Sequence, residues 1–414
     1  LDEAFSALRV EIALDGECRY SVALRIQGTD HALEMKHSLG GTQEELVQAF
    51  HTEHQRRYGF TVQGGALEVV NITCRVVGER SFQAPLDADP WGLGESVVSG
   101  PKLITTENTA IDVPQGWEAF RRQGLLMLHH VAERVQTDSR ERTPLGVELW
   151  ANRFSAVAAE GGEVLRRLAR SVNIRRRLDF SVGVFDTQGR LVANAPHIPV
   201  HLGSMGSTVR DLIAHEPSLR EGQAWLTNDP QAGGSHLPDL TVISPVSVSG
   251  SLFFIASRAH HVDVGGITAG SMPPHSRSLD EEGQSYRRAL LKDERGIRDI
   301  DALLVQSRQP ETVKADLLAQ IAANHHAACL LSDLGNGELL AQWMGILADV
   351  ADESLDCVLE NIEAGSAHDL LDGVQIAVKV SKAGKRLRID FEGSGGPHPG
   401  NLNAPPAVVR AAVL

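Results

Sequence analysis

The sequence predicts an α+β protein built from mixed sheets and hairpins with packed helices, in which a small N-terminal α+β domain precedes a larger one. Three observations carry that expectation. Short alternating apolar runs recur on either side of glycine-containing turns, and long segments of helical period stand between them. Two polar, glycine-rich stretches, residues 227–239 (TNDPQAGGSHLPD) and 258–266 (RAHHVDVGG), bracket one hairpin and suit shaped loops better than regular elements.

Residues 10–35 alternate in short apolar and polar steps broken by Gly16 and Gly28, which reads as strands and turns. Thr42 precedes Glu44, Glu45 and the apolar series Leu46, Val47 and Phe50, the start of a capped amphipathic helix that ends near Gly59. A strand at 66–77 closes the small domain, set at residues 1–80. Residues 81–113 have no sustained period and are rich in Pro, Gly, Asp and Thr, so they read as a linker or a long ordered arm. The larger domain is set at 114–414.

Within it, 147–171 has helical period, with Gly161-Gly162 as a weak point. Residues 177–185 and 190–194 form a hairpin around 186–189 and deliver His197 and His201. The 240–257 hairpin turns at Ser249-Gly250, so His236 and Asp239 enter it and His260, His261 and Asp263 leave it. Residues 269–283 are irregular, 311–334 and 337–362 are consecutive helices, and 374–391 is a hairpin turning at Gly384.

Composition bounds the partners. The 414 residues carry a net charge of −14 and a pI near 5.6, which argues against nucleic acid and anionic membranes as partners. No apolar run approaches the roughly 20 residues that span a bilayer, and no export signal opens the chain. Cys18, Cys74, Cys329 and Cys357 are scattered without a CxxC, so neither a disulfide framework nor a thiolate zinc site is expected. A cytoplasmic protein is the expectation. The chain opens on Leu1 and stops in an apolar run at 408–414, so both ends are expected to be cut.

The polar loops hold the chemistry. A lone loop histidine usually serves hydrogen bonding, but seven of the 17 histidines fall between His197 and His275, which points to a site. His236 and Asp239, brought to one side by a turn at Gly233-Gly234 and Pro238, suit a pair of metal ligands. Strand alternation groups His261 with Asp263 and His260 with Arg258, so at most one of the two adjacent imidazoles easily joins them. An imidazole and carboxylate set without cysteine favours Mn, Fe, Zn or Mg. Asn228 and Asp229 suit either an Asx turn or catalysis. His197 and His201 have the i, i+4 spacing of helical ligands, weakened by Pro199 between them. His325 and His326 read as packing residues, and 393–396 lacks the lysine of a phosphate loop.

Residues 177–194, 195–205 (APHIPVHLGSM), 227–239, 258–266, 270–276 (GSMPPHS), 307–312 (SRQPET) with 317–324 (LLAQIAAN), and 400–408 (GNLNAPPAV) resemble, in this order, the hydantoinase B/5-oxoprolinase family. The resemblance covers most of 114–414. Residues 24–33 (LRIQGTDHAL), 58–60 (YGF) and 68–71 (EVVN) resemble the end of a hydantoinase A subunit, an arrangement similar to fused 5-oxoprolinases.

That resemblance implies ATP-dependent hydrolysis of 5-oxo-L-proline to L-glutamate, in which a hydantoinase A-like half uses ATP and Mg and this part opens the ring. A divalent metal, Mn, Zn or Fe, is implied at His236, Asp239 and His261, with His260 as the other choice for the third ligand. Catalytic roles are expected for Asp229, His260 and Asp263, and substrate binding for His197, His201, Asn228 and Arg258. The implied partners are a small cyclic amide, the ATPase half and further copies of the chain. With the ATPase loops upstream of Leu1, this stretch is expected to be inactive alone. Two readings stand beside it: the B-type subunit of an N-methylhydantoinase or an acetone or acetophenone carboxylase, and a non-catalytic scaffold for the ATPase half.

Overall fold

The computed structural model describes residues 1–12, 16–29, 31–61, 66–77, 89, 91–94, 96–106, 108–122, 124–131, 141–195, 198–384 and 386–414. The chain divides into two compact units, Leu1–Arg19 with Cys74–Glu141 and Tyr20–Thr73 with Arg142–Leu414.

Helix α1 (Asp2–Ile12) opens the chain, where the sequence pattern assigns no helix; the strands begin later, at β1 (Glu17–Ile26). β2 (Leu33–His37) pairs antiparallel with β1. α2 (Gln43–Tyr58) carries the expected capping box: Thr42 Oγ1 accepts from Glu45 N, and Glu45 accepts from Thr42 N. It stops at Gly59, whose φ of 77° is left-handed. β3 (Leu67–Val77) is the other neighbour of β1.

The stretch expected as a linker or a long ordered arm holds short strands where it is described. Of 81–113, residues 81–88, 90, 95 and 107 lie outside those described, and the remainder forms β4 (Val98–Ser99), β5 (Lys102–Thr105) and β6 (Ala110–Val113). With β7 (Trp117–Arg122) and β8 (Leu125–His130) they enclose a small core of Ile104, Val113 and Ala119.

α3 (Pro144–Leu168), with Thr143 as N-cap and proline in its first turn, opens the main body. α4 (Val172–Arg175) is one turn. β9 (Phe180–Phe185) and β10 (Leu191–Asn194) form the first expected hairpin. α5 (Pro199–His215) starts at the proline that had argued against a helix there, because Pro199 sits in the first turn, where its missing N–H costs nothing. β11 (Ala224–Thr227) leads into β12 (Asp239–Val248) and β13 (Ser251–His260). Ser249 and Gly250 both have positive φ, 48° and 86°, as a two-residue hairpin turn requires. α6 (Leu279–Glu282), β14 (Ala289–Asp293), β15 (Gly296–Ile297), α7 (Pro310–Asp333) and α8 (Gly337–Glu360) follow. β16 (Gly365–Leu371), β17 (Val374–Ala383) and β18 (Arg386–Asp390) make a separate sheet, and α9 (Pro406–Val413) ends the described chain.

The main sheet has seven strands in the order β10-β9-β13-β12-β11-β14-β15. Its middle strands β9, β12 and β13 are buried along nearly their whole length, so both faces must be covered. One face packs on α5 through Phe185, Met205, Val209, Leu212, Trp225, Ile243, Phe254 and Ala256. α3 and α7 cover the other. Gly161, expected as a weak point in α3, is a close-packing point, since a Cβ there would lie 3.2 Å from both Ala327 and Val182. Gln320 of α7 donates to the Leu240 and Ser257 carbonyls at 3.1 and 2.9 Å, and Asn324 to the Val242 carbonyl at 3.0 Å. The 317–324 motif therefore pins α7 to the central hairpin.

Candidate metal centre

The pleat decides which polar side chains meet. Asp239 and His260 are register partners at the open end of the β12–β13 hairpin, and like Thr241 and Arg258 they face α5. The turn before β12 folds His236 back over them. His236 Nε2 lies 3.0 Å from His260 Nδ1, His236 Nδ1 lies 3.5 Å from Asp239 Oδ2, and His260 Nδ1 lies 3.5 Å from Asp239 Oδ1. One ligand atom from each of the three falls within 4.8 Å of the others.

Asp239 is held from behind. Its Oδ2 accepts from Ser235 Oγ and from His201 Nε2 at 3.2 Å, and His201 Nδ1 lies 3.1 Å from Ser181 Oγ. With Nε2 assigned as the donor to the carboxylate, Nδ1 accepts from the serine. Asp239 Oδ1 is buried and accepts no hydrogen bond. A buried orphan carboxylate oxygen 3.5 Å from one imidazole, with a second imidazole against the same carboxylate, is a donor set that fits a divalent ion of borderline or hard character. Exposure grades the trio: the side chain of His236 is 39 % exposed, His260 15 % and Asp239 1 %.

Electrostatics follow this arrangement. Burial alone would raise the Asp239 carboxyl, but the hydrogen bond from His201 and the close imidazoles of His260 and His236 outweigh it and hold it well below the usual carboxylate range. Burial pushes His236 down. Burial also acts against charged His260, yet the Asp239 contact and Asp179 raise it.

The other expected residues are placed elsewhere. His261 turns to the α7 face, fully buried, with Nε2 2.9 Å from Gln320 Oε1, because consecutive strand residues point to opposite sides. It therefore lies outside the cluster in which it was expected as a ligand; His260, the other choice, lies inside. Arg258 contacts no open surface. Its guanidinium donates to Thr241, Ser204, Thr208 and the Gly233 carbonyl, and burial pushes it down to about 10. Asn228 is likewise internal, donating to the Leu237 and Gln284 carbonyls and accepting from Tyr286 N. His201 is buried, with its Nε2 on the Asp239 carboxylate. Asp229 caps a short turn through Gln231 N and lies 3.5 Å from Arg287. Asp263 ties down the following loop by accepting from Gly265 N, Gly270 N and Arg308. His197 lies outside the described residues.

One residue at the cluster went unread. Asp179 precedes β9, accepts the His260 backbone N–H at 3.0 Å and sets its carboxylate 4.0 Å from His260 Nδ1, one-third exposed. Its only sequence signal is adjacency: the hairpin beginning there pairs with the strand that ends in His260.

Fold and cluster together define an α-covered antiparallel sheet with a candidate metal centre at the open end of its central hairpin. The profile of the hydantoinase B/oxoprolinase family matches residues 143–414, and the chain belongs to that family. It is 31 % identical to a 5-oxoprolinase of Dictyostelium discoideum, over 96 % of this chain and 35 % of that one. It is 32 % identical to 5-oxoprolinase 1 of Arabidopsis thaliana, over 94 % and 36 %. The chain thus spans about a third of the length of these curated relatives. Among solved structures, an ATP-dependent caprolactamase from Pseudomonas jessenii shares the fold with a TM-score of 0.60 at 22 % identity, over 66 % of this chain and 50 % of that one. Among the described residues no helix is long and apolar enough to cross a membrane.

Proposed function

We propose that this chain carries the ring-opening part of an ATP-dependent cyclic-amide hydrolase, with 5-oxo-L-proline as substrate and L-glutamate as product. The observation that carries this reading is the His236, Asp239 and His260 cluster with its orphan Asp239 oxygen, in a chain whose relatives include 5-oxoprolinases. A hydantoinase A-like ATPase part supplies ATP and Mg, and alone the present stretch is inactive. Cytoplasmic location and assembly into homo-oligomers belong to the same proposal.

The chemistry needs help at two points. An unstrained lactam carbonyl is a poor electrophile, and phosphorylation of its oxygen by the ATPase part turns that oxygen into a leaving group. A divalent ion held by His236, Asp239 and His260 would supply Lewis acidity toward the carbonyl or the attacking water. The chain's own residues do the rest. Ser181, His201 and Ser235 fix the Asp239 carboxylate in one orientation. Asp179, partly exposed at the rim, takes the proton of the attacking water.

The test combines the chain with a hydantoinase A-type ATPase part, ATP, Mg and 5-oxo-L-proline, and measures L-glutamate formed and metal bound. ATP-dependent glutamate formation is expected, lost with the metal in His236→Ala and lost with the metal retained in Asp179→Asn. A metal-loaded protein that opens a hydantoin but not 5-oxoproline would move the substrate assignment within the family. Full turnover by His236→Ala would return the chain to the scaffold reading.

A further inference from the structure

The four cysteines are free thiols, and their spacing along the chain gives no reason for any two to meet. The sheet β2-β1-β3 brings two of them together. Gln27 N donates to the Ala66 carbonyl at 2.9 Å and Arg25 Nε to Glu68 at 2.8 Å, so the end of β1 lies beside the start of β3 and the strands run antiparallel. Cys18, at the start of β1, therefore falls beside Cys74 near the end of β3.

Counted from those two anchors alone, Cys18 would stand opposite Arg75. β3 breaks its alternation, however, with Val69, Val70 and Asn71 all exposed in succession, the mark of one extra residue. Past that break Ile72, Cys74 and Val76 take the less exposed face, as Cys18, Tyr20 and Val22 do in β1. The extra residue moves Cys74 opposite Cys18, and the two thiols are close enough to act on each other as hydrogen-bonding partners. Among the described residues Cys18 Sγ otherwise reaches the Gly16 carbonyl, at 3.9 Å. Both cysteines belong to the first compact unit, beside Arg19 and at Cys74 itself, where its chain passes out of and back from the second.

We propose that Cys18 and Cys74 are a modification site, a cross-strand thiol pair that hydrogen peroxide oxidises to a reversible disulfide joining β1 to β3. Opposed residues of antiparallel strands hold their Cβ atoms about 4.5–5.5 Å apart, close to the roughly 3.5–4.5 Å of a disulfide. Burial first, and the Cys18 thiol after it, push Cys74 up against the opposing charge of Arg9, so Cys74 stays protonated at neutral pH and the first attack falls to Cys18. The Cys18 thiolate takes one peroxide oxygen and becomes a sulfenic acid, while the departing hydroxide picks up the proton that Cys18 gave up and leaves as water. The Cys74 sulfur then displaces the Cys18 hydroxyl, which leaves as a second water with the Cys74 proton as the S–S bond forms. Two thiols are oxidised by two electrons, and the O–O bond is reduced. Exchange with a free dithiol reverses the step.

The experiment treats the full chain, folded and dilute, with hydrogen peroxide, blocks the remaining thiols with N-ethylmaleimide and maps the peptides by mass spectrometry. A linked Cys18–Cys74 peptide is expected, with no link to Cys329 or Cys357, and dithiothreitol restores all four thiols. The oxidised chain is expected to unfold at higher urea than the reduced chain, because the closed loop restricts the unfolded state. Cys74→Ser shows no such shift after peroxide; serine nearly matches cysteine in size, and thermal unfolding of the reduced variant confirms its fold. Recovery of Cys18 and Cys74 as maleimide adducts, at peroxide concentrations that oxidise free glutathione, overturns the proposal. So does Cys18 ending as a sulfinic or sulfonic acid with Cys74 unlinked, or a disulfide from either cysteine to any other thiol.

Discussion

Asp239 and His260 stand opposite each other as the last register pair of the β12–β13 ladder, and the shared pleat points both toward α5. His261, one residue on, is sent to Gln320 behind the sheet. This parity makes the adjacent histidines unequal.

The inequality is measurable by plasma mass spectrometry of purified protein. His260→Ala is expected to lose stoichiometric metal while keeping its fold, because His260 stands at the open end of the hairpin, its side chain still 15 % exposed. His261→Ala is expected to keep the metal and to lose about 1–3 kcal/mol of stability, since a buried hydrogen bond disappears. Metal lost equally from both variants would sink the assignment of His260 over His261.

His201 acts through Asp239. Its replacement by alanine removes one of the two hydrogen bonds that orient Oδ2, and the Ser181 hydroxyl loses its partner. Metal affinity is expected to fall about 10–100-fold with the three ligands intact. A competition titration against a chelator of known affinity reads this directly, and an unchanged affinity would make His201 a packing residue only.

Gln320 joins α7 to both strands of the hairpin. Its amide N–H groups point at the Leu240 and Ser257 carbonyls, which leaves Oε1 to accept from His261 Nε2. Gln320→Leu strands those buried groups together and is expected to lower unfolding stability by about 2–4 kcal/mol in urea titrations. An unchanged midpoint would show that apolar contacts alone hold α7.

Much of this was readable from local chemistry. The Ser249-Gly250 turn, the capped helix at Thr42 and the long α7 and α8 declare themselves through φ preference, capping residues and period. Alternation also pairs His260 with Arg258 correctly. What the chain does not encode locally is which face of a strand receives the His236 turn, since that depends on α5 and α7 packing from opposite sides. Asp229 and Asp263 look catalytic, and Asn228 and Arg258 look substrate-binding, because polar residues in glycine-rich loops do. In three dimensions their hydrogen bonds satisfy backbone groups that such loops leave unpaired. α5 is hidden by Pro199, whose effect reverses between the first turn of a helix and its interior.

Asp263 gives the clearest pH dependence. Burial alone would raise its carboxyl, but the N–H groups of Arg308, Gly270 and Gly265 and the Arg308 guanidinium outweigh that and hold it below its ordinary value. A carboxyl lowered on folding contributes stability at pH values above its unfolded pKa of about 3.9, and that contribution fades as pH falls through the folded value. Asp263→Asn is therefore expected to unfold at lower denaturant at pH 7, by about 1–3 kcal/mol, because an amide offers one acceptor where the carboxylate offers two. Below about pH 4 the gap between the two proteins should narrow as the parent carboxyl takes up its proton. Chemical unfolding of both at pH 7, 5 and 3.5 tests the sign: a gap that widens on acidification would mean the carboxylate is opposed, rather than held, by the loop that surrounds it.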